Sequence, residues 1–521
     1  MSSKRRLVVV GNGMAGARLV EDVLARDGAR HQITVFGDEP CGNYNRILLS
    51  SVLARSHDPK SIFLNPLPWY AANGVKLHAG VRVKSIDVRT KQAVGADGTV
   101  EPYDTLVIAT GSKPLIPPID GLSPVPATVR RRTRGTTADV AFKRGVFVFR
   151  TLDDCNRILA FVNRARRAAV IGGGLLGLEA ARGLVNAGLD VHVVHLMPHL
   201  METQLDGRGA QVLQQQLEQM GVQVHLEKTT TAVLGDDEVT GLAFKDGSTL
   251  DCEMVVIAAG IRPNVAVAVE AGLQIRRGIV VGDDLTCEGV PDVCAIGECA
   301  EHRGRVYGLV APLWEQAHVL ADRLSGKNPQ ASYTGSKPST KLKVAGIELA
   351  VMGDKDPIEE GDEVVTYAEP SRGVYKKLVV RNNRLAGAIV LGDGAIVPAL
   401  LRLFGESSVI PENRADLLLR AAAVAPPPAE TIPDTTLICN CNGVTKAQII
   451  ESILQGARSV GGVSDATRAC TGCGSCRSDV QSIVDVACQG LVAPELPATD
   501  GPDVALETGR AGRVSLGFDG S

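Results

Sequence analysis

The sequence predicts an α/β protein with two doubly wound, Rossmann-like nucleotide-binding domains, a small α+β domain and a small helical domain rich in cysteine. Three observations lead to this prediction. A glycine-rich turn between a β-branched run and a helical pattern occurs twice. Short strands with turns replace that pattern near residue 335, and two close pairs of cysteines follow residue 437. Repeated β-turn-α-β units of this kind are typical of doubly wound folds.

Length and composition are those of a soluble protein with several domains. The 521 residues suggest about three or four folding units, and 45% hydrophobic with 22% charged residues is enough to build sizeable cores. The 55 basic and 58 acidic residues nearly cancel, and aromatic residues make up only 3%, which argues against a nucleic-acid binder. No apolar run approaches the roughly 18 residues needed to cross a bilayer, which argues against an integral membrane protein.

The first residues predict a cytoplasmic protein. A basic run, 4–6, precedes an apolar run, 7–10, that stops at Gly11 and is too short for a secretory signal. In a reducing compartment we expect the 12 cysteines to serve metal or redox chemistry, because disulfides rarely persist there.

The first glycine fingerprint is Gly11-x-Gly13-x-x-Gly16, between a strand at 7–10 and a helical pattern. Its first glycine permits a tight turn and its second lets a pyrophosphate approach the backbone. The third lets helix and strand pack closely. A second copy with the same order of strand, glycine turn and helix, Gly172-x-Gly174-x-x-Gly177, follows a strand at 168–171. One such motif is weak evidence for a dinucleotide site, but two in the correct context are strong evidence.

Each unit continues into a second strand, and the residue after that strand usually contacts the ribose. In the first unit Asp38 and Glu39 are both candidates, and the sequence does not choose between them. In the second unit His195 stands where an NAD-specific protein presents a carboxylate. Without that carboxylate the 2′-phosphate of NADPH is not repelled, but no arginine lies next to His195 to clamp the phosphate. We therefore expect NADH to be the better donor, with NADPH usable. A metal site with His192 is disfavoured, because side chains three apart on a strand point to opposite faces.

A further strand in each unit ends in a small polar turn. The strand at 105–109 ends at Ala109 and is followed by Thr110 and Gly111. The strand at 254–259 is followed by Gly260. The basic segment between the units, 122–144, is interpreted as a solvated loop, with docking of an acidic electron-transfer partner as the alternative.

The C-terminal part predicts smaller units. Residues 335–415 alternate short strands and turns and predict a small α+β domain. Residues 421–436 predict a semi-rigid linker, because they include a run of alanine and proline. A compact cysteine-rich segment covers 437–490, and residues 491–521 predict a disordered tail.

Four cysteines in two close pairs, Cys439-x-Cys441 and Cys473-x-x-Cys476, are the donor set that a [2Fe–2S] cluster requires. Tetrahedral zinc is the alternative, because it accepts the same four thiolates. Cys470 is a third candidate in the second pair, and we set it aside. The remaining cysteines are scattered and are interpreted as structural.

The two fingerprints, the turn at 109–111 and the segment that ends in Glu298 together resemble flavoprotein reductases with two dinucleotide-binding domains. That resemblance implies FAD in the first unit, NAD(P)H in the second and a ribityl contact at Glu298. Arg46 and Ser50 resemble the flavin-contacting turn, and Glu179 matches a glutamate near the nicotinamide and the flavin. The implied FAD-binding domain is 1–121 with 265–330, and the implied NAD(P)H-binding domain is 145–264.

A closer resemblance, over about 5–490, is to the assimilatory nitrite and nitrate reductase electron-transfer type, in residues 43–50, 195–202 and 339–343 and the cysteine segment. The cysteine segment itself resembles the bacterioferritin-associated-ferredoxin-like (BFD-like) [2Fe–2S] domain. The basic segment and His195 depart from this pattern. The redox cysteine pair of disulfide reductases is absent from the first unit, where Cys41 stands alone, so thiol chemistry at the flavin is disfavoured.

The expected activity is NAD(P)H-dependent electron transfer. NAD(P)H gives up a hydride, a cluster takes single electrons, and a flavin converts one into the other. Electrons would pass from NADH through FAD and [2Fe–2S] to a catalytic nitrate or nitrite reductase subunit. With about 45 residues after Cys476, we expect no sirohaem domain. Alternatives are a ferredoxin- or rubredoxin-type reductase with another acceptor, and a flavoprotein whose zinc-bound module docks a partner.

Overall fold

The computed structural model describes residues 4–122, 142–337, 339–344, 346–419, 429–439, 442–472, 474 and 476–489. Within them the fold is α/β, with one mainly parallel sheet, one parallel sheet, a separate antiparallel sheet and a small helical lobe, which confirms the predicted fold class. Across the described ranges, no helix combines the length and apolar character needed to cross a membrane.

The first unit begins with a strand, a glycine turn and a helix. Its elements are β1 Arg5–Val10, α1 Met14–Asp27, β2 His31–Gly37, β3 Asn43–Tyr44, α2 Leu49–Leu53, β4 Phe63–Asn65, α3 Leu67–Ala72, β5 Lys76–Ala79, β6 Val83–Asp87, β7 Gln92–Gly95, β8 Val100–Pro102, β9 Thr105–Ile108 and β10 Ser112–Pro114. The last four residues of β1 are apolar and buried, so they form a central strand. It pairs in parallel with β2 and β9, so the carboxyl ends of three strands meet at one edge.

The second unit repeats this order. Its elements are β11 Val146–Val148, α4 Leu152–Phe161, β12 Arg167–Ile171, α5 Leu175–Asn186, β13 Asp190–Val194, α6 Gly207–Gln219, β14 Val222–His225, β15 Thr230–Leu234, β16 Gly241–Phe244, β17 Thr249–Asp251, β18 Met254–Ile257 and β19 Ile261–Pro263. The parallel sheet has the order β11-β18-β12-β13-β14. Thr151 caps α4 by accepting a hydrogen bond from the Asp154 N–H at 3.1 Å.

The chain then returns to the first sheet. The returning elements are α7 Ala266–Glu270, β20 Ile279–Val281, β21 Thr286–Cys287, β22 Val290–Ala295, β23 Ala300–His302 and α8 Val310–Ser325. The first sheet thereby reaches eight strands, in the order β23-β20-β21-β22-β9-β1-β2-β5. β10 and β19 pair antiparallel and connect the two units.

The third unit is an antiparallel sheet with two helices. Its elements are β24 Ser339–Val344, β25 Ile347–Gly353, β26 Glu363–Glu369, β27 Val374–Arg381, β28 Arg384–Leu391, α9 Val397–Glu406 and α10 Arg414–Leu419. Tyr375 on β27 donates a hydrogen bond to Asp206 at 2.6 Å, and Lys377 donates to the same carboxylate at 2.9 Å. These two bonds fasten the antiparallel sheet to the second unit.

A small lobe carries the cysteine segment. Its elements are β29 Leu437–Cys439, β30 Val444–Thr445, α11 Lys446–Leu454, α12 Val460–Thr467 and α13 Arg477–Gln489. Ala429 is buried in the core of this lobe and Lys446 donates to the Ile432 carbonyl at 2.6 Å. Residues 429–436, which the sequence predicts as linker, therefore pack onto the lobe. The rest of that prediction, 421–428, and the tail prediction, 491–521, lie outside the described residues.

Short 3-10 helices connect several of these elements. They are Arg46–Leu48, Val162–Arg164, Gly297–Cys299, Pro370–Arg372, Gly394–Ile396 and Ala429–Thr431. Most of the basic segment predicted as a loop, 123–141, lies outside the described residues. At its end, Arg144 forms an ion pair with Glu238 at 2.7 Å.

Candidate functional site

The first glycine fingerprint forms a cradle at the carboxyl end of β1. Gly11 has a φ of +121°, and a Cβ on it would collide with the carbonyl oxygen of Ala109. A Cβ on Gly16 would collide with the carbonyl oxygen of Gly11, so helix and strand pack closely. Gly13, by contrast, faces open space. A diphosphate can therefore approach the backbone at Gly13, where α1 begins.

The second fingerprint has the same geometry at the end of β12. Gly172 has a φ of +123°, and a Cβ on it would collide with the carbonyl oxygen of Ala258. Gly177 packs on Gly172 without room for a side chain, and Gly174 faces open space. The chain thus presents two separate cradles for a diphosphate, each at the start of a helix.

A large cavity lies where the two units meet. Its volume is about 1220 Å³, which exceeds the roughly 300–1000 Å³ typical of a site for one small molecule. Predicted residues in its lining are Gly11, Gly13, Asp38, Glu39, Arg46, Ser50, Ala109, Thr110, Gly111, Glu179, Gly260 and Glu298. The other predicted nucleotide residues, Gly16, Gly172, Gly174, Gly177 and His195, lie outside that lining.

The structure distinguishes the two acidic residues that follow β2. Glu39 is half-buried, pairs with Arg46 and accepts a hydrogen bond from the Tyr44 hydroxyl at 2.7 Å. Asp38 is more exposed and pairs with Arg82 at 2.9 Å. The carboxylate of Glu39 is therefore occupied by Arg46 and Tyr44, and it stabilises the turn that carries Arg46. Asp38 is the carboxylate with accessible acceptor capacity for a ribose.

Glu298 belongs to a polar cluster that the sequence did not predict in full. Ser112 donates a hydrogen bond to its carboxylate at 2.6 Å, and Arg150 forms an ion pair with it. The Arg150 carbonyl also accepts a hydrogen bond from Arg46 at 3.1 Å. Arg150 thereby connects two residues that come from distant parts of the sequence. Its position just after β11, at the carboxyl end of a parallel strand, is the signal that would have found it.

Glu179 is the acidic residue of the second unit that lines the cavity. Burial raises its pKa to about 7, and a hydrogen bond with Ser50 lowers the pKa by a smaller amount. Glu179 can therefore hold or release a proton near neutral pH. Ser50 comes from the predicted flavin-contacting turn of the first unit, so the pair joins both units.

The histidines of the second unit do not form a metal site. His195 Nδ1 accepts a hydrogen bond from the Gly173 N–H at 3.0 Å, and its Nε2 lies 3.0 Å from Glu202. His192 Nδ1 instead lies 2.8 Å from His225 Nε2. Across the parts of the chain that the structure describes, no group of three or more His, Cys, Asp or Glu side chains is arranged to hold a metal ion.

Two of the predicted cluster cysteines are described. Cys439 and Cys476 are buried, and their thiols are in hydrogen-bonding contact. Cys470, which the sequence analysis set aside, lies with its Sγ 3.6 Å from the Sγ of Cys476. Cys441 and Cys473 lie outside the described residues. The segment therefore brings thiols from both ends of the motif together, as a thiolate-bound cofactor requires.

The thiol of Cys41 also lines the large cavity. Burial and the nearby carboxylate of Glu39 raise its pKa to about 11, and Arg46 opposes this shift. A thiol with such a pKa is a weak nucleophile at neutral pH. Thiol chemistry at this cavity is therefore disfavoured by the structure as well as by the sequence.

These features fit the cofactors that the sequence predicts. The first cradle, together with Glu298 and Arg46, suits a flavin dinucleotide, and the second suits a nicotinamide dinucleotide. The paired thiols suit iron and sulfide. The fold and the site thus define a flavoprotein reductase with two dinucleotide-binding units and an attached iron–sulfur lobe.

Family models match three consecutive parts of the chain. Residues 5–320 match the pyridine nucleotide-disulphide oxidoreductase model. Residues 338–407 match the rubredoxin NAD+ reductase C-terminal domain, and 437–485 match the BFD-like [2Fe-2S] binding domain. The chain belongs to the pyridine nucleotide-disulphide oxidoreductase family. Its cofactors are accordingly FAD, NAD(P)H and a [2Fe–2S] cluster, and it is an NAD(P)H-dependent oxidoreductase.

Curated relatives agree with this assignment. The chain is 42% identical over 487 residues to a nitrite reductase [NAD(P)H] of Bacillus subtilis, with 92% of this chain and 57% of the relative covered. It is 39% identical over 482 residues to the assimilatory nitrate reductase electron transfer subunit of the same organism, covering 92% and 59%. The chain thus spans somewhat more than half the length of these relatives.

Solved structures share the reductase fold. The ferredoxin reductase for the CYP199A2 system of Rhodopseudomonas palustris has a TM-score of 0.70 at 26% identity, covering 81% of this chain and 100% of that one. The NADH:rubredoxin oxidoreductase of Clostridium acetobutylicum has a TM-score of 0.62 at 23% identity, covering 80% and 99%. The second likeness supports the fold alone.

Proposed function

We propose that this protein is a cytoplasmic electron-transfer component. It takes electrons from NADH or NADPH and passes them to a catalytic subunit of assimilatory nitrate or nitrite reductase. The observation that carries the proposal is the position of the cysteine lobe. Gly472, next to the predicted ligand Cys473, lines the same cavity as Glu298 and Glu179. A cluster in this lobe would lie beside the flavin site, so electrons could leave the flavin within one chain.

Bound FAD supplies the conversion between a two-electron hydride donor and a one-electron acceptor. The chain's own residues provide binding and orientation. We assign to FAD the first cradle with Asp38, Arg46, Ser50, Ala109, Thr110, Gly111 and Glu298, and to Glu39 the role of holding Arg46. We assign to the nicotinamide dinucleotide the second cradle with His195 and Gly260. Glu179, with a pKa near neutrality, holds a proton at the cavity wall. We assign to the cluster Cys439, Cys441, Cys473 and Cys476.

The test is an anaerobic titration of the purified protein with NADH, followed by visible and EPR spectra. We expect flavin and about two irons per chain, bleaching of the flavin, and then the EPR signal of a reduced [2Fe–2S] cluster. Stoichiometric zinc without iron would reject the cluster and favour the zinc-bound docking module. In a second step the protein is mixed with the nitrate reductase or nitrite reductase catalytic subunit. Acceptor reduction with NADH as donor would support the assigned partner.

A second acceptor is supported by a separate observation. The match of residues 338–407 to the rubredoxin NAD+ reductase C-terminal domain indicates kinship with reductases of small electron carriers. If neither catalytic subunit is reduced, rubredoxin and ferredoxin are the acceptors to test. Reduction of either at a rate above that of the catalytic subunits would replace the nitrate and nitrite assignment.

A further inference from the structure

Arg468 connects the cysteine lobe to the first nucleotide-binding unit through three hydrogen bonds. It donates to the Glu21 carboxylate at 2.9 Å, to the Leu64 carbonyl at 3.0 Å and to the Asn65 side-chain oxygen at 3.0 Å. Glu21 also accepts from the Asn65 side-chain nitrogen at 2.7 Å. The acceptors are thus held by each other as well as by the arginine.

The backbone of Arg468 is in a conformation that disfavours an arginine. Its φ is +65°, and it ends α12 at a position where glycine is the usual residue. A non-glycine residue in the left-handed region is worth explaining by its contacts. The three bonds across the lobe boundary are that explanation, because a glycine would relieve the backbone but make none of them.

A second contact, made by Arg18 of the first unit, lies next to the first. Arg18 on α1 donates to the Asn442 carbonyl at 2.9 Å, and its guanidinium lies 5.4 Å from the centre of the Trp314 ring. Gly443 packs so closely that a Cβ would lie 3.1 Å from Trp314. Asn442 in turn donates to the Arg468 carbonyl at 2.6 Å, so the two contacts are joined inside the lobe.

The same boundary reaches the flavin cavity. Ile47 packs against the core of the cysteine lobe, and it also lines the cavity together with its neighbour Arg46. Gly472 lines the cavity from the lobe side, four residues after Arg468. The segment from 468 to 472 therefore runs from the boundary contacts to the cavity wall, directly before the predicted ligand Cys473.

We propose that Arg468, assisted by Arg18, holds the cysteine lobe in the position from which the cluster accepts electrons from the flavin. Arg468 is a positioning residue, since its own contacts are Glu21, Leu64 and Asn65. The proposal rests on the proposed function, because it presumes a cluster in the lobe and FAD in the cavity. One NADH releases two electrons and one proton as it becomes NAD+. The cluster takes up these two electrons in two successive one-electron reductions, and the first electron leaves for the external acceptor before the second arrives. The proton is released to solvent.

The experiment uses the full-length holoprotein with Arg468→Glu, which places two carboxylates against each other at Glu21. Anaerobic mixing with NADH is followed by stopped-flow absorbance for flavin bleaching and by freeze-quench EPR for the reduced cluster. We expect the rate of flavin bleaching, the iron content and the shape of the EPR signal to stay unchanged. The EPR signal should appear at least about tenfold more slowly, since charge-assisted hydrogen bonds across an interface are lost.

The charge swap Arg468→Glu with Glu21→Arg is the matched rescue, and we expect it to restore at least part of the rate. Arg458→Glu is the control, because Arg458 is exposed on the same lobe. Should Arg468→Glu lose its iron, Glu21→Arg alone replaces it, since that substitution lies on α1 and outside the lobe. Amide hydrogen exchange in β4 supplies a readout that needs no turnover, and it should rise in Arg468→Glu.

Several outcomes would overturn the proposal. They are an unchanged cluster reduction rate in a fully loaded Arg468→Glu variant, an equal slowing in the Arg458→Glu control, and a charge swap no faster than the single variant. Failure of the proposed function is distinguishable, because the unmodified protein would then show no cluster signal with NADH at all.

Discussion

His195 Nε2 lies 3.0 Å from the Glu202 carboxylate, while His195 Nδ1 accepts a hydrogen bond from the Gly173 N–H at 3.0 Å. An acceptor at Nδ1 leaves Nε2 as the nitrogen that donates to Glu202. The sequence suggested that the usual carboxylate is missing at the end of β13. In the structure Glu202, seven residues further along the chain, places its carboxylate at that end of β13.

This relationship predicts that Glu202 maintains the preference for NADH. A carboxylate beside the ribose disfavours the 2′-phosphate of NADPH by charge repulsion. We expect Glu202→Gln to raise the ratio of NADPH to NADH kcat/KM by about tenfold, which corresponds to about 1.4 kcal/mol. Binding of each dinucleotide, measured by the change in flavin absorbance or by calorimetry, should change in the same ratio.

Glu218→Gln is the control, because Glu218 is exposed on α6 and its carboxylate accepts a hydrogen bond from Gln214 at 2.8 Å. An unchanged donor ratio in Glu202→Gln would show that this carboxylate does not face the ribose.

Glu179 predicts a pH dependence of NADH-driven flavin reduction. Its pKa is raised to about 7 by burial, so its charge changes within the working range. We expect the rate of flavin reduction to inflect near pH 7 and the inflection to disappear in Glu179→Gln. Stopped-flow measurement at saturating NADH between about pH 5.5 and 8.5 covers the titration. A Gln variant with the same inflection would assign it to another group.

The same raised pKa predicts a change in stability. The folded state binds the Glu179 proton more tightly than the unfolded state, whose value is near 4.5. Stability therefore falls as the pH rises from about 4.5 to about 7 and is constant above that. Glu179→Gln should be more stable than the unmodified protein at pH 8, by on the order of 1–3 kcal/mol, with a smaller difference at pH 5. Urea unfolding at both pH values measures this.

The sequence predicted the parts of the site that depend on local chemistry. Gly11 and Gly172 could be placed because each follows a buried strand, and a positive φ at that point is a local requirement of the turn. For these two glycines, a few neighbouring residues determine both the conformation and the position. Glu179 was expected from the family resemblance, and in the structure it lines the cavity.

The contacts of Arg150 and Arg468 could not be predicted, because their partners are far away in the chain. Arg468 contacts Glu21 only when the C-terminal end of α12 lies next to α1, and the residues adjacent to each in sequence do not determine that arrangement. Cys470 was set aside because Cys473 and Cys476 fit the ferredoxin pattern better, yet its sulfur lies beside that of Cys476. Sequence spacing does not report distances between segments that only tertiary packing brings together.

Substitution of a cluster cysteine is expected to separate reduction of the physiological acceptor from reduction of a small dye. Cys473→Ser should abolish reduction of the physiological acceptor, because the cluster loses one of its four thiolates. NAD(P)H-driven reduction of a small dye should stay largely intact, since dyes take electrons directly from the flavin. Cys470→Ser is the comparison that tests the ligand set, and we expect it to keep about two irons. Loss of iron in Cys470→Ser with retention of iron in Cys473→Ser would show that Cys470, and not Cys473, is the fourth ligand.

The ion pair between Arg150 and Glu298 predicts that tight flavin binding requires Arg150. Its side chain and that of Glu298 are 20% and 14% exposed, so removing one partner leaves a largely buried charge, which costs about 3–5 kcal/mol when burial is complete. We expect Arg150→Met to raise the FAD dissociation constant at least about tenfold, because part of that cost falls on the bound state.

The double variant Arg150→Met with Glu298→Gln removes the unpaired charge and should recover part of the FAD affinity. Arg157→Met is the matched control. Arg157 pairs with Asp153 on the exposed face of α4, with exposed fractions of 43% and 47%, and such a pair contributes only about 0.3–0.5 kcal/mol. Fluorescence titration of the apoprotein with FAD measures all four proteins. Equal FAD affinity in Arg150→Met and Arg157→Met would mean that the ion pair at Glu298 does not organise the flavin site.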